Sequence, residues 1–399
     1  MGLNHSTQNK SISKAYIFTY GTIFVAVGLS AAAFGPMLPY LAAQTQVSLS
    51  QIGLVFTATS FGYLLGSVGG GRLYDRFPGH RLMRISLAFS IVPLNLIPLT
   101  SKIFLFLTIL FILGIAHGIL DVGANTSLLW AYKADVGPYM NALHFCFGAG
   151  SFLAPLIMHC VLQWSGGKIS WPFWSLAFLT LPGMLGLWML PSIKNEKTEA
   201  EELHSNRLKT GLLIAIILLF FATTGVEAGF GGWIFTYVTK ANIINETGAA
   251  LLNALFWGTF TLGRLLSVPY SRKIKTEHIL LGSFAIAIVS LLVLHIFSVN
   301  SSMIWIGSAT LGLALSAIFP TLLVLSESRL KITGRITGLL FLGSSLGTML
   351  VPMALGHIYE IFGRVYILSA LLALAGMGLC VLLLVVFFQS ITKNKQKIE

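Results

Sequence analysis

The chain has 399 residues, of which 55% are hydrophobic and only 10% are charged, and its mean hydropathy is +0.84. A soluble domain carries about 25% charged residues, so this composition excludes an ordinary water-soluble protein. The formal net charge of +12 would suit a nucleic-acid-binding protein, but the positions of the cations indicate a different cause.

Twelve apolar segments are long enough, at about 17 to 25 residues each, to cross a bilayer as helices. They run apolar for longer than the alternating strands of about 10 residues in outer-membrane barrels. We therefore predict an all-α integral membrane protein with twelve transmembrane helices. In chain order, the segments are 15–43, 52–70, 82–99, 103–130, 140–163, 173–190, 211–237, 249–268, 279–297, 303–325, 336–358 and 365–388.

One long polar stretch, residues 192–210, divides the twelve segments into two groups of six. The first segment is longer than the apolar core of a signal peptide, about 7 to 15 residues, so we expect it to be retained as a span. The predicted parts are an N-terminal tail (1–14), a six-helix half (15–191), a cytoplasmic linker (192–210), a second six-helix half (211–390) and a C-terminal tail (391–399).

The cations lie almost entirely on one side of the predicted topology. With the N-terminus inside, all but four of the 25 cationic residues fall in tails, loops or polar span ends on that side; the exceptions are Lys102, Lys168, Lys240 and Arg364. Such a positive-inside bias sets orientation. We predict a multi-pass protein of the plasma (inner) membrane with both termini in the cytoplasm, and no nucleic-acid partner.

A short motif after the second segment recurs after the eighth. Aligning Gly71-Arg72 of GGGRLYDRF with Gly263-Arg264 of TLGRLLSVPYSRK gives an offset of 192 residues, about half the chain. Parallel six-span repeats are the pattern of one large class of transporters, whose solute site lies between the halves near the midplane. The sequence thus predicts two repeated halves.

Two of the 13 acidic residues, Asp121 and Glu227, lie deep inside apolar segments. A charged side chain at mid-bilayer costs about 2.5 to 3.5 kcal/mol on insertion scales, so such groups normally face a protein interior or a water-filled cavity. Neither acid is repeated at the 192-residue offset, where Leu313 and Gly35 stand. Their single occurrence favours a chemical role in cation coupling over a scaffolding role.

Twelve spans in two halves, with GGGRLYDRFPGHR in the loop between spans 2 and 3, resemble the major facilitator superfamily. The resemblance implies the major facilitator fold and a cytoplasmic charge latch that locks and releases during alternating access. Positive-inside charge alone is the alternative explanation of the loop. The predicted cytoplasmic gate consists of Gly71, Asp75, Arg76 and Arg81, with Arg264 at the repeated motif.

Four segments are similar to the fucose permease group and its sodium-dependent glucose transporter relatives: LDVGANTSLLW, NALHFCFGAG, GVEAGFGGWIFTY and ALFWGTFTLGR. This resemblance implies that Asp121 takes part in proton coupling and that His144 contacts a sugar. The permeases have a second carboxylate in span 1, where this chain has none. Span 7 instead carries Glu227, as in the sodium-glucose relatives, so both H⁺ and Na⁺ remain candidates.

His117, Asp121 and Asn125 occur at positions i, i+4 and i+8 and form one polar stripe on a helix. We expect the stripe to face a cavity; the alternative is a buried network that only holds helices together. On span 5, Asn141 and His144 share a face and suit hydrogen bonding to hydroxyls. The alternative for His144 is a satisfied core histidine.

Glu227 is followed by Gly229, Gly231 and Gly232. Glycine weakens a helix, so we predict that span 7 is broken there and binds solute or ion at the break. Trp233 would offer an aromatic face to a sugar ring. The alternatives are that Trp233 only packs or faces lipid and that Glu227 pairs with Arg264.

These patterns, together with the resemblance, predict a secondary active transporter that couples H⁺ or Na⁺ to symport of a small polar solute, with a monosaccharide as first candidate. The alternatives are a proton-coupled efflux antiporter of amphipathic compounds and an importer of a nucleoside or siderophore. A membrane-embedded enzyme would need a catalytic or metal-binding motif, and no His, Asp or Glu spacing in this sequence matches one. We expect no other cofactor, no metal, and function as a monomer. Cation coupling is assigned to Asp121 and Glu227, and solute binding to His117, Asn125, Asn141, His144, Glu227, Phe230, Trp233 and Trp257.

Overall fold

The computed structural model describes residues 3–74, 76–132, 137–193, 207–271, 274–330 and 334–395. In these residues the structure consists of helices, without any β-strand. Within this described part of the chain, twelve helical segments are long and apolar enough to cross a membrane. The prediction of an all-α membrane protein with twelve transmembrane helices is therefore confirmed.

The first seven helices are α1 (Leu3–Thr45), α2 (Leu49–Ile52), α3 (Leu54–Tyr74), α4 (Gly79–Leu96), α5 (Ile103–Tyr132), α6 (Gly137–Trp164) and α7 (Ser170–Met189). The remaining seven are α8 (Arg207–Lys240), α9 (Glu246–Ser271), α10 (Thr276–Ile296), α11 (Ser301–Ser316), α12 (Ile318–Arg329), α13 (Gly334–Phe362) and α14 (Val365–Lys395). A 3-10 turn, Ile97–Leu99, extends α4.

The helices form two compact units. The first comprises Met1–Ser48 and Ala58–Glu199, and the second comprises Leu49–Thr57 and Ala200–Glu399. The short segment Leu49–Thr57 therefore belongs to the second unit, although it follows span 1 in the chain.

Hydrogen bonds account for the place of this segment. The backbone N–H of Ser50 donates to Oε1 of Glu360 at 2.8 Å, and the Ser50 hydroxyl shares a hydrogen bond with Nδ1 of His357. At the other end, Thr57 Oγ1 donates to the carbonyl oxygen of Met349 at 3.1 Å. All three partners lie on α13, so this helix holds the segment along about three turns.

Two helix pairs in the first unit pack backbone against backbone. At each contact, a Cβ added to a glycine would collide with a backbone atom of the facing helix. Small residues allow such close approach between membrane helices. We call these contacts glycine seams. The facing residues are Gly28 and Phe147, and Gly150 and Val25, for α1 and α6; they are Gly62 and Phe111, and Gly114 and Thr59, for α3 and α5.

Glycine seams recur at equivalent helix pairs of the second unit. Gly343 and Gly347 of α13 face the carbonyl oxygens of Ile217 and Phe221 of α8, and Gly312 of α11 faces Phe256 of α9. The contact between spans 1 and 5 thus corresponds to the contact between spans 7 and 11. The contact between spans 2 and 4 corresponds to the contact between spans 8 and 10. The repeat seen in the sequence is present in the packing.

Span 10 departs from the predicted single helix over 303–325. The structure divides it at Ala317 into α11 and α12. Pro320 explains the break, because proline has no N–H to donate to the carbonyl of Ser316 and its ring clashes with that carbonyl. The helix therefore restarts one residue after Ala317.

Several helices are longer than the predicted spans, although the limits of those spans agree with the membrane-crossing segments to within a few residues. The helix α8 begins at Arg207, inside the predicted linker, and α1 and α14 continue into the predicted tails. The rest of the linker, residues 194–206, lies outside the described residues. The reason is that hydropathy marks only the part of a helix that lies in hydrocarbon, whereas helical hydrogen bonding continues into the polar region.

Candidate functional site

Asp121 lies on α5, and both of its carboxylate oxygens accept hydrogen bonds. Nδ2 of Asn125 donates to Oδ1 at 2.9 Å and also to the backbone oxygen of Asp121 at 2.8 Å. The hydroxyl of Tyr63, on α3, donates to Oδ2. Both donors are neutral, so the carboxylate is satisfied without a cationic partner.

Sequence reasoning missed Tyr63. The α3–α5 glycine seam brings it to Asp121: a Cβ at Gly118 of α5 would collide with the carbonyl oxygen of Tyr63, so the two backbones are in contact one turn before Asp121. Ser67 also donates to that carbonyl at 2.8 Å. The available signal was a tyrosine between Gly62 and Gly66, within a small-residue motif typical of close helix contacts.

His117 lies one turn before Asp121 on α5 and is only 6% exposed. Among the described residues it has no hydrogen-bond partner. The predicted polar stripe is therefore formed in part. Asp121 and Asn125 are joined by a hydrogen bond, whereas the buried His117 side chain forms no hydrogen bond with either of them.

The two predicted residues of span 5 lie on α6. The His144 side chain is exposed, and its ring meets the edge of Phe24 at a centroid distance of 5.9 Å. The satisfied core histidine considered as its alternative therefore does not fit. Asn141 belongs to the same helix, but its side chain lies outside the described part of the structure.

In the second unit, the predicted break in span 7 is wrong. The helix α8 runs without interruption from Arg207 to Lys240, through all three glycines that follow Glu227. These glycines make room for neighbours instead. A Cβ at Gly231 would meet the ring of Trp257, and one at Gly232 would meet the ring of Phe56. Close packing is the physical reason for the glycine-rich sequence.

The three aromatic residues proposed for solute binding are buried. Trp233 is 0% exposed, its Nε1 donates to the carbonyl oxygen of Pro352 at 2.9 Å, and its ring stacks near Tyr359. Phe230 is 1% exposed and Trp257 is 9% exposed. The expectation of an open aromatic face at Trp233 is therefore wrong, because its faces and its N–H are used inside the second unit.

Glu227 of α8 and Arg264 of α9 interact electrostatically. They form no direct ion pair within 4.0 Å in the described structure. The guanidinium of Arg264 lies 4.4 Å from the ring centroid of Phe260, a cation–π contact. The direct ion pair considered as an alternative is therefore not formed, and the Glu227 carboxylate has no hydrogen-bond partner among the described residues.

One face of α9 carries three buried polar atoms that have no hydrogen-bond partner in the described structure. They are Oδ1 of Asn253, Nε1 of Trp257 and Nε of Arg264. The other amide atom of Asn253, Nδ2, donates to the carbonyl oxygen of Gly231 at 2.7 Å. Such groups normally find a partner in protein or water. This face, beside Glu227, is polar enough to accept a hydroxyl-bearing molecule or water, and sequence reasoning missed Asn253.

The predicted cytoplasmic gate is only partly described. Arg76 and Arg81 are exposed, and a side chain at Gly71 would meet open space. Asp75 lies outside the described residues. The gate interpretation of this loop therefore stays a prediction.

The same motif contains His80, whose hydrogen bonds between helices the sequence did not predict. His80 is 2% exposed; its Nε2 shares a 2.7 Å hydrogen bond with the Tyr20 hydroxyl, and its Nδ1 lies 3.0 Å from the carbonyl oxygen of Leu190. Its backbone N–H donates to Oγ of Ser192 at 3.2 Å. His80 thus ties the start of α4 to α1 and to the end of α7.

Comparison with known proteins gives a consistent result. The family model of the Major Facilitator Superfamily matches residues 21–352. The chain is 30% identical to human sodium-dependent glucose transporter 1, over 84% of this chain and 71% of that protein. It is 28% identical to sodium-dependent glucose transporter 1 of Xenopus laevis, over 93% of this chain and 81% of that protein.

A second group of relatives and a solved structure extend this result. Human major facilitator superfamily domain-containing protein 4A is 28% identical over 86% of each chain. A crystal structure of the nucleoside transporter NupG has a TM-score of 0.74 at 14% identity, covering 93% of this chain and 99% of that one. At that identity, the likeness concerns the fold alone.

Proposed function

The chain belongs to the major facilitator superfamily, and from that premise we propose that it is a secondary active transporter that couples H⁺ or Na⁺ to the uphill import of a small polar solute. A monosaccharide is the first candidate solute. The protein is a transporter and not an enzyme, and it is an integral, multi-pass membrane protein. The coupling ion, the solute and the direction of transport belong to the proposal.

The observation that carries the proposal is the set of hydrogen bonds around the Asp121 carboxylate. A membrane-embedded carboxylate with two neutral donors and no cationic partner has the chemistry of a site that takes and releases a monovalent cation. Ionisable side chains inside transmembrane segments are rare and typically mark ion pathways or proton relays. Glu227, attracted by Arg264 without direct contact, is the candidate for solute binding or for a share in coupling.

Two observations support a polar solute. The unpartnered polar atoms on α9 suit hydroxyl groups, and the relatives at 28 to 30% identity include proteins named sodium-dependent glucose transporters. The burial of Phe230, Trp233 and Trp257 argues against the open aromatic surface expected of an efflux antiporter for amphipathic compounds. A nucleoside or siderophore remains the second candidate class.

The positions of the cations support a plasma-membrane protein whose two termini both lie in the cytoplasm. We also propose that a single chain is the functional transporter, because both predicted halves of the repeat lie in one sequence.

We expect purified protein in liposomes to accumulate one labelled monosaccharide when an inward H⁺ or Na⁺ gradient is imposed. Each charge moved across 100 mV contributes about 2.3 kcal/mol, enough for roughly fifty-fold accumulation. The measurement is uptake of a panel of labelled monosaccharides and nucleosides, with each gradient imposed separately and then collapsed by an ionophore. Equilibration that ignores both gradients would exclude coupled transport.

We expect Glu227→Gln to weaken solute binding by about 1 to 3 kcal/mol, roughly 5- to 150-fold in Kd, because a buried polar partner is left imperfectly paired. Binding is measured by titration calorimetry in detergent. Glu246→Gln, an exposed glutamate at the start of α9, is the matched control and should leave Kd unchanged. Equal Kd values for Glu227→Gln and wild type would remove Glu227 from the solute site.

A further inference from the structure

We propose that Tyr63 is a positioning residue for ion coupling: its hydroxyl holds the carboxylate oxygen of Asp121 that the coupling cation must occupy, and yields it when the cation binds. The inference rests on the proposed function of Asp121. It adds a residue on a different helix, one that no sequence pattern assigned to the site.

The contacts of the carboxylate divide into a fixed donor and a removable donor. Asn125 is one turn from Asp121 on α5, and its Nδ2 bridges the side chain and the backbone oxygen of the same residue. It therefore stays with Asp121 whatever α5 does. Tyr63 reaches Oδ2 from α3, and its phenol can swing away through side-chain rotation alone.

Charge explains why a removable donor is useful. An ionised carboxylate inside a membrane protein is costly unless it is hydrogen-bonded. Without a cation, the hydroxyl of Tyr63 supplies that stabilisation while keeping its own proton. With H⁺ on the carboxylate, or Na⁺ beside it, the same hydroxyl is a competitor for Oδ2. Tyr63 therefore lowers the free energy of the cation-free, ionised carboxylate and raises the cation concentration that half-saturates the site.

Packing keeps the tyrosine in reach of Asp121. The backbone of Tyr63 lies against Gly118, and its carbonyl oxygen accepts a hydrogen bond from Ser67 at 2.8 Å. Among the described residues, the side chains that donate hydrogen bonds to the Asp121 carboxylate are Asn125 and Tyr63, and Tyr63 is the titratable one and comes from another helix. His117, on α5 itself, is the other titratable side chain nearby in sequence. The competition for Oδ2 is therefore between Tyr63 and the cation.

The test is Tyr63→Phe in liposomes, which removes the hydroxyl and keeps the ring. We measure coupled uptake against Na⁺ concentration at fixed pH, and against pH without Na⁺, so that the two arms distinguish the two cations. We expect the half-saturating concentration of the active cation to fall about ten-fold, since a hydrogen bond to a charged group competes with it. For H⁺, this is a shift of the profile by about one unit to higher pH.

Tyr74→Phe is the matched control. Tyr74 also lies on α3 and donates its hydroxyl to α5, to the carbonyl oxygen of Ile119 at 3.0 Å. Its loss removes one phenol hydroxyl from the same helix pair without touching Asp121. We expect its cation dependence to match wild type, whereas a merely structural role for Tyr63 would make the two variants alike.

Asp121→Asn separates the failure of this inference from failure of the proposed function. If Asp121→Asn still accumulates solute, the coupling role of Asp121 is wrong. If Asp121→Asn fails to accumulate and Tyr63→Phe keeps the wild-type cation dependence, only the role of Tyr63 is overturned. Tyr63→Leu, which also lacks the hydroxyl and is smaller than tyrosine, carries the same expectation if Tyr63→Phe does not fold.

Discussion

Asp121→Asn is expected to abolish uphill accumulation while solute exchange continues. Asparagine keeps the shape of the side chain and still accepts a hydrogen bond from Tyr63. It can neither take up H⁺ at physiological pH nor present a full charge to Na⁺. The accumulation ratio at 100 mV should fall from roughly fifty to one, because about 2.3 kcal/mol of driving force per charge is no longer coupled.

The measurement compares two assays on the same liposomes: uptake under an imposed gradient, and counterflow of labelled against unlabelled solute at equal ion concentrations. Asp121→Glu is the control that retains a titratable group. Loss of both activities in Asp121→Asn would indicate a damaged protein, which the unfolding temperature in detergent would reveal. Normal accumulation by a folded Asp121→Asn would contradict the assignment.

Gly62→Leu is expected to destabilise the first unit strongly. A Cβ at this position would collide with the carbonyl oxygen of Phe111 on the facing helix. Overpacking costs about 1 to 3 kcal/mol where neighbouring side chains can move, and a backbone obstacle makes the cost larger. The apparent unfolding temperature in detergent should fall by more than about 5 °C.

Gly69→Leu is the matched control on the same helix. A Cβ there would meet nothing within 4 Å, and leucine favours a helix more than glycine does. Its unfolding temperature should equal or exceed that of wild type. An equal decrease of the unfolding temperature in the two variants would show that the flexibility of glycine on α3 matters for stability, and that the close contact at the glycine seam does not.

The spans and the repeat could be predicted because they depend on local properties of the sequence. Apolar runs of sufficient length, the side on which cations lie, and the recurrence of a Gly-Arg pair are read without knowing any contact between helices. Helix ends were less predictable. The start of α8 at Arg207 lies among polar residues, where hydropathy carries no signal.

The helix break was predicted in the wrong span because glycine and proline act differently inside a membrane. Gly229, Gly231 and Gly232 keep their N–H groups, so α8 continues and uses them for packing. Pro320 removes a donor, so span 10 divides at Ala317. Where a neighbouring helix will fill the space, glycine favours close contact over a break.

Tyr63 and Trp233 show the limit of site prediction from one sequence. The stripe on span 4 identified Asp121 and Asn125 because both lie on one helix, at a spacing that a helical period joins. Tyr63 comes from another helix, and the choice of neighbour depends on which glycine faces which backbone. Trp233 looked like an exposed aromatic, but whether a tryptophan is open or enclosed is decided by the helices around it.

The hydrogen bonds between α13 and the segment that follows span 1 have a consequence for fragments of this protein. A polypeptide that began at Arg207 would contain all six spans of the second half and would still lack Ser50 and Thr57. The carboxylate of Glu360 and the carbonyl oxygen of Met349 would then have no partner from the segment that bonds to them in the intact chain. The second unit and the six-span half that begins at Arg207 are thus different stretches of sequence, and a fragment that is to keep these hydrogen bonds must include residues 49–57.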